Sequence, residues 1–208
     1  MRICEIFTSI QGEGLTMGLP TVFVRTVGCN LRCNWCDTAY SFEGGKEMSV
    51  DEVISEIGNA KLVCLTGGEP MLQKDSPELM RRLTAGGKNI VLETNGSVDL
   101  SQVADNPKIM LSMDIKCPSS GMSDQMLSSN MSLLSRKDQL KFVVADDIDF
   151  DYAVSYLKEH PVDTNVIFGP VGGTVKLEWL VGRVLDSGID ARVLPQLHKI
   201  IWGDRRSV

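Results

Sequence analysis

Cys29, Cys33 and Cys36 stand at positions i, i+4 and i+7 of the stretch Gly28-Cys29-Asn30-Leu31-Arg32-Cys33-Asn34-Trp35-Cys36-Asp37-Thr38. Thiolates spaced this way can turn inward together on one soft, electron-rich metal centre, and three ligands leave one coordination position open. A structural zinc ion is normally closed by four protein ligands, and a simple electron-carrying iron-sulfur cluster by four cysteines. Three cysteines instead leave one iron of a 4Fe-4S cube free to bind a small molecule. Two other readings exist. The spacing is also one stripe of a helix, but Gly28, Asn30 and Asn34 are poor helix formers and the loop follows the strand-like run Val22–Val27. Zinc could be completed by Cys4, Cys64, Cys117 or a histidine, yet no partner CxxC pair is visible.

Other groups suited to a site follow predicted strands. Thr66-Gly67-Gly68-Glu69-Pro70 places two glycines where backbone and a carboxylate could approach a bound molecule closely. Asp114-Ile115-Lys116 ends another strand with paired charges, Gln11-Gly12-Glu13-Gly14 forms a glycine-rich turn, and His198 and Lys199 follow the last strand. Taken one at a time, the two glycine-rich stretches read as ordinary loops, Thr38 as a turn residue, Arg25 as half of a surface ion pair and His198 as a packing residue.

Together these residues carry a resemblance. Cys-x-x-x-Cys-x-x-Cys resembles the cluster-binding signature of the radical S-adenosylmethionine superfamily. Glu5 to Gly14, Phe23-Val24-Arg25, Cys36-Asp37-Thr38, Thr66 to Pro70, Glu93-Thr94-Asn95-Gly96, Asp114 to Pro118 and Gln196 to Lys199 resemble the 7-carboxy-7-deazaguanine synthase family over nearly the whole chain. The resemblance implies a 4Fe-4S cluster on Cys29, Cys33 and Cys36, and S-adenosyl-L-methionine against Trp35, Gly68, Glu69, Asp114, Ile115 and Lys116. It implies a small-molecule pterin substrate held by Ile10, Gln11, Gly12, Arg25, Thr66 and His198, with Mg2+ at Thr38 bridging to substrate oxygens. The implied activity is that of a radical lyase converting 6-carboxy-5,6,7,8-tetrahydropterin to 7-carboxy-7-deazaguanine with loss of ammonia, in 7-deazapurine (queuosine-type) biosynthesis. A reducing protein such as flavodoxin or ferredoxin and a homodimeric assembly are implied with it. Two stretches depart from the family pattern. Phe168 to Gly173 lacks the Gln and Asp side chains that some members present to the cofactor, and Asp204 to Val208 lacks a terminal proline. The rival readings are a glycyl-radical activating enzyme, which shares the cysteine spacing, and a metal-stabilised binding module without catalysis.

Composition narrows the classes. A formal charge of −6 with scattered Lys and Arg argues against a nucleic-acid partner, because binding phosphates needs a clustered basic surface. Six cysteines, three of them inside eight positions, favour metal and a reducing compartment over a disulfide scaffold. No secretory core or bilayer-length run is present, so a cytoplasmic protein without membrane contact is expected.

The elements that must position these groups alternate. Residues 4 to 14 predict a strand running into a Gly-Glu-Gly loop, and further strands are predicted over Thr21–Val27, Leu62–Thr66, Asn89–Thr94, Lys108–Asp114, Leu140–Ala145, Asn165–Phe168 and Ala191–Leu194. Helices are predicted from the capping box at Ser49 to Gly58, from Ser76 to Gly86, over Leu100–Ala104, Asp124–Leu134, Phe150–His160 and Lys176–Asp186. This rhythm implies right-handed βαβ crossovers and a mainly parallel sheet. A full (β/α)8 barrel needs about 250 residues. The 208 residues here, with no linker or repeat, predict one α/β domain built as an incomplete, open-sided (β/α)6-type partial TIM barrel, with a doubly wound sheet as the alternative.

Overall fold

A computed structural model describes residues 1–208. The strands are β1 (Arg2–Ile10), β2 (Pro20–Thr26), β3 (Lys46–Glu47), β4 (Leu62–Gly67), β5 (Asn89–Thr94), β6 (Ile109–Ile115), β7 (Gln139–Val144), β8 (Asn165–Pro170) and β9 (Arg192–Val193). They form one sheet in the order β3-β1-β2-β4-β5-β6-β7-β8-β9. From β2 to β9 every pairing is parallel, while β1 runs antiparallel to both β2 and β3. The sheet ends on β3 and β9 without closing, as the open-sided reading expects.

Alternation along each strand divides the sheet into two faces. Val24, Val63, Leu65, Ile90, Leu92, Ile109, Leu111, Leu140 and Phe142 are buried on the outer face. Against it pack α2 (Ser76–Ala85), α3 (Asp147–Glu159) and α4 (Leu177–Ser187), while α1 (Val50–Ile57) joins the same core through Val53 and Ile57. Burying each such side chain contributes about 1.5–3 kcal/mol, and this face therefore carries the fold. The inner face is polar. Register places Arg25 beside Thr66, Glu93 beside Ser112 and Ser112 beside Gln139, with Asp114 beside Lys141 in the next row up, a functional band across five parallel strands.

The helix starts are written in local chemistry. Ser49 accepts from the Glu52 amide at 3.2 Å and the Ser49 amide donates to Glu52 at 2.7 Å, the reciprocal capping box anticipated for α1. Asp146 caps α3 by accepting from the Asp149 amide at 2.9 Å.

Two predicted helices are absent. Asp124–Leu134 is broken into short 3-10 turns at Ser123–Gln125 and Ser128–Leu133, and Leu100–Ala104 lies in successive turns. Asn130, fully buried, explains both. Its side chain accepts from the Leu100 amide at 3.2 Å and donates to Gly96 O and Val98 O at 3.1 and 2.8 Å. One amide thereby satisfies the β5–β6 connection in place of a helical ladder. The first strand ends at Ile10 and runs into the glycine-rich loop as expected, whereas the short β3 carries no sequence signal.

Candidate active site

The inner row opens at the carboxyl ends of the parallel strands into a cavity of about 630 Å³. Cys29, Cys33 and Cys36 line it together, with Trp35 between the latter two. The loop carrying them is clamped to its neighbours. Gly28 N donates to Ser41 O at 2.8 Å, Glu69 N donates to Gly28 O at 2.8 Å and Asn95 Nδ2 donates to Asn30 Oδ1 at 3.2 Å. Gly68 packs flat against this turn, since a Cβ there would stand 2.2 Å from Gly28 O and 2.7 Å from the Cys29 Cβ. Gly67, at φ +151°, is hemmed in by Thr26 and also has no space for a side chain.

The donor set fits an iron-sulfur cube with a free iron. Three half-buried thiols share one wall, and Cys4, Cys64 and Cys117 are not part of the loop. No three His, Cys, Asp or Glu side chains converge tightly enough to hold a single ion, whereas a cube accepts ligands set wider apart. Burial pushes the Cys29 and Cys33 thiols up, and the Lys116 ammonium opposes this at Cys33.

Beside the thiols lies a buried charge network. Lys141 Nζ reaches Glu93 at 2.7 Å, Glu13 at 3.1 Å and Asp114 at 3.3 Å, and Lys116 binds the other Asp114 oxygen at 2.8 Å. Gln196 donates to Glu13 at 2.7 Å and Ser112 to Glu93 at 2.8 Å. Burial raises all three carboxyls, but at Glu13 and Asp114 the ammonium groups outweigh it and hold them below their ordinary values. At Glu93 burial prevails, reinforced by Glu13 and Asp114, and its carboxyl is raised despite Lys141. Asp114 Oδ1 is buried and makes no well-aligned hydrogen bond, facing only the Lys141 ammonium at 3.3 Å.

Ile10, Gln11, Gly12, Arg25, Thr38, Thr66, Gly68, Asp114, Lys116 and His198 line this same cavity. Gln11 is buried, its Nε2 directed at Cys64 Sγ (3.6 Å) and Glu93 (3.5 Å). Arg25 donates through Nε to Glu5 at 2.6 Å. The His198 ring lies so close to Gly12 that a Cβ there would meet Nδ1 at 2.1 Å, which accounts for the glycine. Thr38 Oγ1 stands 3.7 Å from Cys36 Sγ. Glu69 and Ile115 lie off the wall. The Glu69 carboxylate is fully buried and accepts from the Thr94 hydroxyl and from the Asn95 and Met71 amides at 2.7–3.0 Å. Ile115 belongs to the core. In the departing stretch, Pro170, Val171 and Gly172 line the cavity.

Sequence reasoning had not singled out Glu93, Lys141, Ser112 or Gln139. Glu93 stands in a recognised motif, and Lys141 reads as one polar residue in an apolar strand. A buried lysine flanked by Phe142, Val143 and Val144 is the signal that could have found it.

Comparison with known proteins decides the family. The Radical SAM superfamily matches residues 23–124. The 7-carboxy-7-deazaguanine synthase of Thermoplasma acidophilum is 42% identical over 206 residues, covering 98% of each chain. That of Methanospirillum hungatei is 44% identical, covering 97% of this chain and 85% of its own. The chain belongs to the 7-carboxy-7-deazaguanine synthase family. Among solved structures, QueE from Escherichia coli superposes with a TM-score of 0.78 at 22% identity over 95% of this chain, and at that identity it speaks for the fold alone. In this member of a radical S-adenosylmethionine lyase family, three thiols at the carboxyl ends of an open, mainly parallel sheet meet a polar inner face. No helix here is long and apolar enough to cross a membrane.

Proposed function

We propose that this chain, acting as a single domain, converts 6-carboxy-5,6,7,8-tetrahydropterin to 7-carboxy-7-deazaguanine with release of ammonia, in 7-deazapurine biosynthesis. The atoms balance with ammonia alone, so no net oxidant is required. The supporting observation is that one cavity joins the three-thiol wall to a buried row of groups suited to a carboxylated pterin. When bound, the cluster and S-adenosyl-L-methionine would supply the radical chemistry for hydrogen abstraction at the carbon bearing the carboxylate.

The chain's own residues bind and orient. Cys29, Cys33 and Cys36 hold the cluster. Trp35 offers an aromatic face to the adenine, Gly68 backbone approach, and Asp114 with Lys116 a charge pair for ribose and carboxylate. Glu69 and Ile115 serve from behind the wall, Glu69 by fixing the turn after β4. Arg25 suits the substrate carboxylate, since Nε is held by Glu5 and the terminal nitrogens remain for a fork. Ile10, Gln11, Gly12, Thr66 and His198 complete the substrate wall, and Thr38 offers a hard oxygen to Mg2+. A flavodoxin- or ferredoxin-type donor, a homodimer and a cytoplasmic location complete the reading.

The test is anaerobic turnover of the pterin after cluster reconstitution. Product should form with wild type and vanish with Cys33→Ala. No product with wild type, or unimpaired product with Cys33→Ala, would refute the proposal.

A further inference from the structure

One carboxylate outside the cavity wall collects groups that lie on it. Glu5, in β1 and paired in register with Arg25, accepts from Arg25 Nε at 2.6 Å and from the Tyr40 hydroxyl at 2.9 Å through one oxygen. Its other oxygen accepts from the Ser207 hydroxyl at 2.6 Å. The Arg206 guanidinium sits 3.9 Å over the Tyr40 ring, and Arg25 is 5.8 Å from the same ring. Arg25, Tyr40, Arg206 and Ser207 all line the cavity, and Glu5 does not.

We infer that Glu5 is a positioning residue, which fixes the fork of Arg25 toward the substrate carboxylate and latches the segment Gly203–Val208 at the cavity, so that Arg206 joins Arg25 as a further cation on its wall. The inference rests on the assignment of Arg25 to the substrate. Held only through Nε, Arg25 keeps both terminal nitrogens for a two-point contact, and the direction of that contact is set by Glu5. The latch is a releasable one. Ser207 adopts φ 55°, a left-handed conformation that a serine seldom takes unaided, and its hydroxyl bond to Glu5 holds it there. Closing the segment also adds positive charge against an anionic substrate, since Arg206 reaches the wall with Tyr40 as its platform.

Native trypsin cleavage after Arg205 and Arg206, followed by intact mass, reads the latch without reference to activity. Loss of a bond to a charged group should speed this cleavage about tenfold in Glu5→Gln, and less in Ser207→Ala, where Arg25 and Tyr40 stay held. In turnover, Glu5→Gln should raise KM for the pterin about tenfold with kcat within about twofold, while Ser207→Ala raises KM less. Tyr40→Phe, which removes only the hydroxyl, provides a milder version should Glu5→Gln fold poorly, and it too should speed cleavage. Cleavage within about twofold of wild type in both Glu5→Gln and Tyr40→Phe overturns the latch, and an unchanged KM in Glu5→Gln overturns the positioning role. Failure of the underlying assignment is separately visible, because Arg25→Ala would then leave KM unchanged whatever trypsin reports.

Discussion

Gly68 is fixed by what surrounds it. A methyl group there would press on Gly28 O at 2.2 Å and on Cys29 Cβ at 2.7 Å, and Gly28 cannot retreat because its amide and carbonyl are both bonded across the loop. Gly68→Ala must therefore shift the cysteine loop or the turn after β4, a strain of about 1–3 kcal/mol. Binding of S-adenosyl-L-methionine to the anaerobic, reconstituted protein should weaken by about tenfold or more, measured by equilibrium dialysis. Retained affinity would show that the turn plays no part in the cofactor site. At this scale the sequence was most informative where chemistry resides in local spacing, as for Cys29, Cys33 and Cys36. It was least informative where chemistry is assembled from afar. Lys141 meets Glu13 across 128 positions and Glu93 across 48, and no local pattern encodes that meeting.

Elements were legible to the extent that their own residues satisfy them. α1 carries its cap in Ser49 and Glu52, and Ser49→Ala should cost about 1 kcal/mol and lower the melting temperature by about 2–4 °C in a thermal scan. The connections around β6 depend instead on a distant amide. Ser128, Ser129, Asn130 and Ser132 look tolerable in a helix at the level of apolar spacing, yet their side chains compete for backbone groups, and Asn130 is bound to three of them on the preceding loop. That is why a predicted helix over Asp124–Leu134 is realised as 3-10 turns. Asn130→Ala would leave Leu100 N and Val98 O without partners inside the protein and Gly96 O with the Leu127 amide alone. The expected loss is about 3 kcal/mol, read from the urea midpoint, and a loss no larger than that of Ser49→Ala would contradict the structural role given to Asn130.

Across the whole molecule the two faces of the sheet do opposite work: the outer face stabilises through apolar burial, and the inner face gathers charge at a cost that only mutual pairing offsets. Lys141 is the cation on which Glu13, Glu93 and Asp114 converge, and it is itself raised well above its ordinary value, with burial opposing and these three carboxylates prevailing. In the wild type, Glu13 and Asp114 are held below their unfolded values of 4.5 and 3.8. The stability they contribute is present above those values and is lost as pH falls through the lower folded ones. Lys141→Met reverses the sign. Without the ammonium group, burial and mutual repulsion raise the folded pKa values of Glu93 and Glu13, while Lys116 still holds Asp114 down; the two glutamates take up protons more readily in the folded state than in the unfolded chain, and at them acidification becomes stabilising. The variant should be about 3–5 kcal/mol less stable than wild type near about pH 8, and the gap should narrow steadily toward about pH 5.5, with Glu93 the first to accept a proton because its carboxyl is already raised. Urea unfolding of both proteins across that range decides the matter, since a gap independent of pH would mean that Lys141 contributes through packing and not through charge.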